Sequence, residues 1–461
     1  ISIMNENNGP KYFPLHYSFM RFVGLGYFHN PKEKDFKNFS KPWYVLYSSV
    51  QLGFWVFLFT TALWMEVPYT YKNLDRLMLN LTFSITFSSS LVKLYIIIAH
   101  NKTIQMIVYS IEHDLCQFPQ NEKIMKKTVA VCKRLTLSIL SFANLTVIGL
   151  VIGGTVQALR SPKIFKAKHV NNTEIFKPSD RILPMPVYLP FEITSDYIYA
   201  IAFIYQILGI QWYGNIVVLI NTFMNTIMIH FAGKFANLKY FVENTREVAI
   251  LRLRLKIDKE KSDKLTLSLE EAQIHLQTLG EDEMAKKEKV VLIYFTEEEI
   301  NKEMCGFLKE CIKHHITLLS LVETFEDMYS IGFLVHVLNN LNVICHVMIQ
   351  ISENDIFSIR CGTATALFFT VVSELLVQCY AGNELTLQAT GLAESVYNCQ
   401  WYTADRTFKR LMTILMMRAQ KPVIVTAGKF VAISNSTFVM VKINKWGAYS
   451  FFAVIRSTKG D

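Results

Sequence analysis

Residues 379–385 read Cys379-Tyr380-Ala381-Gly382-Asn383-Glu384-Leu385 and close a long apolar run; residues 418–422 read Arg418-Ala419-Gln420-Lys421-Pro422 and open the next one. Between the two blocks lies a polar amphipathic stretch carrying Tyr397 and Trp401. An apolar run, a polar connector and a second apolar run describe a chain that leaves a bilayer, meets water and re-enters. The last segment, with polar residues scattered through it, reads as the lining of an ion pore.

Composition places the whole chain in the same class. Across 461 residues, 51% are hydrophobic and 13% aromatic, and the mean hydropathy is +0.25, values well above those of soluble proteins. The net charge of +9 does not point to nucleic acid, because the basic residues lie in the connections between apolar runs rather than on one face. Eight cysteines, with no CxxC pair, mostly fall in or between apolar segments and read as reduced structural thiols.

Seven runs approach the roughly 20 residues that cross hydrocarbon as a helix: 43–65, 76–99, 135–159, 197–230, 315–351, 356–381 and 423–455. The first is too long for a signal-peptide core and has no small-residue cleavage site, so it is expected to remain as a membrane helix. Glu66-Val67-Pro68 is expected to stop it, and Lys93 to snorkel from the end of the second. Gly149, Gly153 and Gly154 permit close approach along the third. The fourth and fifth are longer than a span needs and are expected to project into water. Ahead of the first run, the aromatic-rich residues 12–28 suit a short interfacial or re-entrant segment.

Lysine and arginine crowd the N-terminal arm, the second-to-third loop and the sixth-to-seventh connection, which predicts a cytoplasmic N-terminus and, after seven crossings, an extracellular C-terminus. The sequon Asn171-Asn172-Thr173 then falls outside and makes Asn171 a glycan acceptor. The expected organisation is an all-α membrane protein. Residues 1–42 form a cytoplasmic arm, 43–230 the first four spans, 231–314 a cytoplasmic loop with helical extensions, and 315–383 spans five and six. Residues 384–422 form a cytoplasmic anchor helix, and 423–461 the seventh helix and tail.

No motif for phosphate binding, metalloprotease chemistry or a serine nucleophile is present, and no metal or cofactor is implied. The chain is not expected to be an enzyme. Polar residues inside the spans carry more information, since in hydrocarbon they must face protein or water. Glu374, near the end of the sixth run, either lines a cation path or pairs with a neighbouring helix. Phe83, Phe87, Thr155, Tyr199, Phe203, Tyr205, Phe333, Val337, Asn340 and Thr363 are candidates for the wall of a mostly apolar cavity suited to a small volatile lipophilic ligand. Ordinary helix packing uses the same residue types.

Taken together, the 379–385 and 418–422 blocks, Tyr397, Trp401, Thr426-Ala427-Gly428-x-Phe430 and Tyr449-Ser450-Phe451-Phe452-x-x-Ile455-Arg456 resemble the C-terminal signature of insect odorant receptors. The resemblance covers the last eighty or so residues in detail. It implies a tetrameric, odorant-gated, nonselective cation channel in which an odorant-binding subunit works with a common co-receptor in the plasma membrane of sensory neurons. By the same resemblance, Tyr397 and Trp401 lie where subunits meet, and Phe451, Val454, Ile455 and Thr458 surround the gate. Lys442 and Lys445 would repel cations if every subunit carried them, which favours a heteromer. The alternatives are a gustatory-type channel of the same superfamily, a G-protein-coupled receptor, which needs an external N-terminus, and a transporter, which needs internal repeats.

Overall fold

The computed structural model describes residues 12–25, 42–71, 74–113, 118–160, 168–170, 173–175, 183, 185–191, 193, 195–261, 295–353 and 359–437. Its elements are α1 (Pro14–Val23), α2 (Pro42–Gln51), a π-helical turn (Leu52–Leu58), α3 (Phe59–Thr70), α4 (Leu74–Ala99), α5 (Asn101–His113) and α6 (Glu122–Arg160). The hairpin β1 (Lys168–Val170) and β2 (Thr173–Ile175) leads to α7 (Asp196–Glu243), α8 (Thr245–Lys261), α9 (Glu297–Glu353) and α10 (Ile359–Thr390). The described chain ends with α11 (Leu392–Asn398), α12 (Arg406–Ala419) and a second hairpin, β3 (Thr426–Ala427) and β4 (Val431–Ala432). Among the described residues six helical stretches are long and apolar enough to cross a membrane: Pro42–Thr70, Leu77–Ala99, Glu122–Gly153, Tyr197–Glu243, Glu297–Ser352 and Cys361–Asn398.

The fourth of these is the axis of the fold. Its sequence is apolar on every side, and a helix with no polar face must be enclosed; 94% of its most apolar window is buried, against 22% for the first and third spans. α6, α9, α10 and α11 pack around it, with α1 against its flank. α6 instead exposes Leu137, Phe142, Leu145, Ile148 and Ile152, an apolar face that only lipid tails match. The aromatic-rich N-terminal stretch does not lie free. Phe13 is fully buried between Phe223 and His230, and the Tyr12 hydroxyl donates to Gln120 Oε1 at 2.6 Å.

Helices outlast the apolar runs that announced them, because a helix already nucleated in the core continues through polar sequence at little cost. α9 extends eighteen residues ahead of its apolar run, which begins at 315, and there α8 is clamped to it: Arg252 forks onto Glu310 through bonds of 2.9 and 2.7 Å while its guanidinium lies 4.5 Å from the Phe307 ring centroid. Pro68 does not end the first span. α3 runs on to Thr70, whose hydroxyl donates to the carbonyls of Glu66 and Val67 in the turn around the proline. Lys93 does not snorkel; it is 1% exposed and paired inside the bundle.

Two expectations about the C-terminal third change. The connector at 384–422 is not one helix: α10 continues to Thr390, and α11 and α12 follow, separated by a 3-10 turn at Trp401–Thr403. Leu385, Leu392 and Val396 form its fully buried apolar side, and burial with the Glu247 carboxylate pushes the Cys399 thiol up to about 11, an inert sulfur. The seventh segment does not begin as a helix at 423. Gly428 and Lys429 take positive φ (65° and 68°) and fold 426–432 into a hairpin before helical geometry resumes at 435. Among the described residues the seven cysteines form no disulfide; Cys116 lies outside the described residues.

Asn80 joins three segments. Fully buried, it donates to the carbonyls of Leu63 (3.1 Å) and Pro186 (2.8 Å) and accepts from Ser84. Asn80→Ala leaves the Pro186 carbonyl without its donor and is expected to lower stability by about 1–3 kcal/mol. The measurement is the melting temperature of detergent-solubilised protein; an unchanged melt would mean that the 185–188 loop is not held this way.

Candidate functional site

α4, α6, α7, α9 and α10 diverge around a cavity of about 140 Å³. Phe83, Phe87, Val147, Leu150, Ile210 and Val343 supply much of its apolar wall. Phe87 is held from behind: its carbonyl accepts the Tyr213 hydroxyl at 2.6 Å and its ring lies 4.1 Å from that of Tyr213.

One end of the cavity is charged. Lys93 Nζ donates to Asn221 Oδ1 at 2.9 Å, and Asn221 Nδ2 donates to Glu374 Oε2 at 3.3 Å, so one amide bridges the two opposite charges. His336 completes the ring, with Nδ1 3.4 Å from Lys93 Nζ and Nε2 4.0 Å from Glu374 Oε2. Because an ammonium can only donate, Nδ1 is the acceptor and the proton sits on Nε2; the Asn340 amide lies 3.2 Å from Nε2 through its Nδ2, and accepting that proton requires its nitrogen and oxygen to exchange places. The four groups come from four helices and sum to zero charge, which is how a buried lysine and glutamate coexist away from water.

Higher on the wall, most polar groups bond one another or the backbone. Gln211 donates to Asn144 at 2.6 Å, Thr146 and Thr370 pair at 2.8 Å, and Thr82 and Thr86 turn back to helical carbonyls. Thr82 also contacts His346 Nδ1. Asn215 and Asn339 are exceptions. Both line the cavity, neither side chain has a hydrogen-bond partner among the described residues, and Asn339 is buried with an orphaned Oδ1.

Of the cavity residues expected from sequence, Phe83, Phe87 and Asn340 line this space. The rest lie elsewhere. Tyr205 stacks on Trp55 at 5.8 Å against the π-helical turn, and Phe333 packs on Phe325 and Tyr329 within α9. Tyr199 and Phe203 pair with each other at 6.0 Å, and Thr155 bonds the Ile152 carbonyl on an exposed face. Thr363 faces Gly149 across the α6–α10 contact, and Val337 is half-buried outside the lining. Lys93, Asn221 and His336 were not expected there. The available signal was one lysine and one glutamate, each stranded in an apolar run, which hydrocarbon obliges to find each other.

Tyr397 is 62% exposed and Tyr402 67%, flanking Trp401, whose Nε1 donates to the Tyr397 carbonyl at 3.1 Å. Lys409 Nζ sits 5.9 Å from the Trp401 ring centroid. Phe451, Val454, Ile455 and Thr458, and also Asn171, Lys442 and Lys445, lie outside the described residues. Among the described residues no cluster of His, Cys, Asp and Glu is arranged to hold a metal ion.

The sequence model of the 7tm odorant receptor family matches residues 73–442. Odorant receptor 67c of Drosophila melanogaster is 29% identical over 160 residues, 34% of this chain and 38% of that protein. Odorant receptor Or1 of Anopheles gambiae is 20% identical over 284 residues, 61% of this chain and 62% of that protein. In each case the match spans less than two thirds of the relative's length. The structure of the insect olfactory receptor OR5 from Machilis hrabei, solved with eugenol, superposes with a TM-score of 0.69 at 13% identity, covering 95% of this chain and 97% of that one. The likeness shows the fold, a seven-span all-α membrane architecture.

Proposed function

Because the chain belongs to the 7tm odorant receptor family, we propose that it is the odorant-binding subunit of a heteromeric, odorant-gated, nonselective cation channel that works with a common co-receptor. The observation that carries this reading is the cavity between α4, α6, α7, α9 and α10: about 140 Å³, mostly apolar, and walled by helices that cross the bilayer. Such a space takes up a small lipophile. The basic loops support a cytoplasmic N-terminus, which puts the exposed Tyr397 and Tyr402 and the half-buried Trp401 between them in the cytoplasm, where aromatic side chains of this kind anchor subunit contacts. Phe451, Val454, Ile455 and Thr458 are assigned to the gate and Asn171 to a glycan. The setting is the plasma membrane of sensory neurons.

Co-expression with a co-receptor subunit is expected to give odorant-evoked cation currents that persist when G-protein signalling is blocked, read by whole-cell recording. Silence across a broad odorant panel, with surface expression confirmed, would defeat the reading.

A further inference from the structure

We propose that the ligand of this cavity is a neutral lipophile carrying one hydrogen-bonding oxygen, an alcohol in the first instance, seated with that oxygen on the side-chain amide of Asn339. The inference rests on the proposed receptor reading and goes beyond it by naming the class of molecule and the group that selects it.

Three observations converge. The first is size: an apolar cavity of about 150 Å³ takes up benzene, so 140 Å³ admits a ligand on the order of six to eight non-hydrogen atoms. The second is the orphaned amide. His336, Asn339, Asn340 and Val343 share one face of α9 and all line the cavity. His336 and Asn340 lie within hydrogen-bond reach of each other; Asn339, 7% exposed, has no side-chain partner among the described residues. A buried polar group without a partner is the exception in folded proteins and marks a place where something else supplies the bond. A half-turn of the amide exchanges its oxygen and nitrogen, so it can accept from a hydroxyl or donate to one. Across the cavity, Asn215 on α7 offers a second unpartnered amide.

The third observation excludes charged ligands. Lys93 and Glu374 are balanced through Asn221 and His336, with neither left over. A carboxylate or ammonium in the cavity would add a third charge with no partner in a low-dielectric space. A hydrocarbon would fit, but would leave the Asn339 amide unsatisfied; an alcohol of the same size satisfies it.

The test uses the full chain with a co-receptor subunit and five matched probes: 1-hexanol, 2-hexanone, n-heptane, hexanoate and hexylammonium. We expect 1-hexanol to be roughly tenfold to a hundredfold more potent than n-heptane, a gap of the size that one buried hydrogen bond sets, 2-hexanone to lie between them, and the two ions to be inactive. Asn339→Leu should bring the potency ratio of 1-hexanol to n-heptane to within about twofold, and Asn339→Gln should restore part of the gap. Thermal stabilisation of the purified chain by 1-hexanol but not n-heptane reads the same preference without any current. If Asn339→Leu fails to reach the surface, Asn215→Leu is expected to narrow the same gap in the same direction. Equal potency of n-heptane and 1-hexanol in the unmodified chain, or an Asn339→Leu effect identical on both, would overturn the inference. Responses confined to charged or larger odorants overturn it while leaving the receptor reading intact; silence to every odorant, with no thermal shift, removes both.

Discussion

Glu374→Ala is expected to cost on the order of 3–5 kcal/mol, because it strips a buried lysine of its counter-charge without removing the lysine. The 93 ammonium would keep Asn221 Oδ1 at 2.9 Å but lose the negative charge that the same amide bridges to it, and nothing else near it is acidic in the ring of His336, Asn221 and Asn340. The readouts are surface labelling and the melting temperature of solubilised protein. Glu374→Gln should fall between Ala and the unmodified chain, since its amide keeps an acceptor for Asn221 and lacks only the charge. The informative variant is the double replacement, Lys93→Met with Glu374→Leu, which removes both charges together and should recover most of the loss. A double variant no better than Glu374→Ala would show that the two residues do not act as a pair.

The second large effect is expected at Gly382, where α10 passes Ile433, the residue just after the C-terminal hairpin. A Cβ built there would collide with the Ile433 carbonyl oxygen and lie 2.8 Å from its side chain. The obstacle is backbone, and that backbone is fixed: the Ile433 N–H donates to the Val425 carbonyl at 2.9 Å, and both residues are buried in the main core. Gly382→Ala must therefore push the hairpin off α10 and displace the start of the segment assigned to the pore. We expect a loss of about 3 kcal/mol or more, at the upper end of overpacking effects, with currents abolished or no longer dependent on odorant. Gly362, on the same helix, meets nothing within 4 Å, and Gly362→Ala should be neutral or stabilise by about 0.5–1 kcal/mol. Opposite signs at two glycines of one helix separate close approach from helix propensity. Equal effects would mean that the hairpin does not sit on Gly382.

The spans were legible because hydrocarbon demands long apolar runs, and the central place of α7 follows from its lack of a polar face. Helix ends were less legible. Polar sequence neither starts nor stops a helix whose core turns are already packed, so α9 begins well ahead of its apolar run, and α3 runs past Pro68 to Thr70. The cavity was legible in part: Phe83 and Phe87 recur at helical spacing on the face of α4 that turns inward, and Asn340 lies on the matching face of α9. Tyr205 and Phe333 have the same chemistry but meet other aromatics, and composition does not say which rings pair. The Lys93–Glu374 ring was out of reach for a different reason. Each residue announces a need for a partner, and only the packing of four distant helices states which partner meets it.

The π-helical turn at Leu52–Leu58 bears on how such chains change length. A π turn is in effect an α-helix with one residue too many. Removing a residue from 52–58 would return the turn to α geometry with both flanks still facing their present neighbours. The same deletion within α7 would rotate half of an enclosed helix by about 100° and turn core side chains against the wrong walls. The first span can therefore lose one residue at this turn and keep the rest of the molecule in register, which the enclosed α7 cannot.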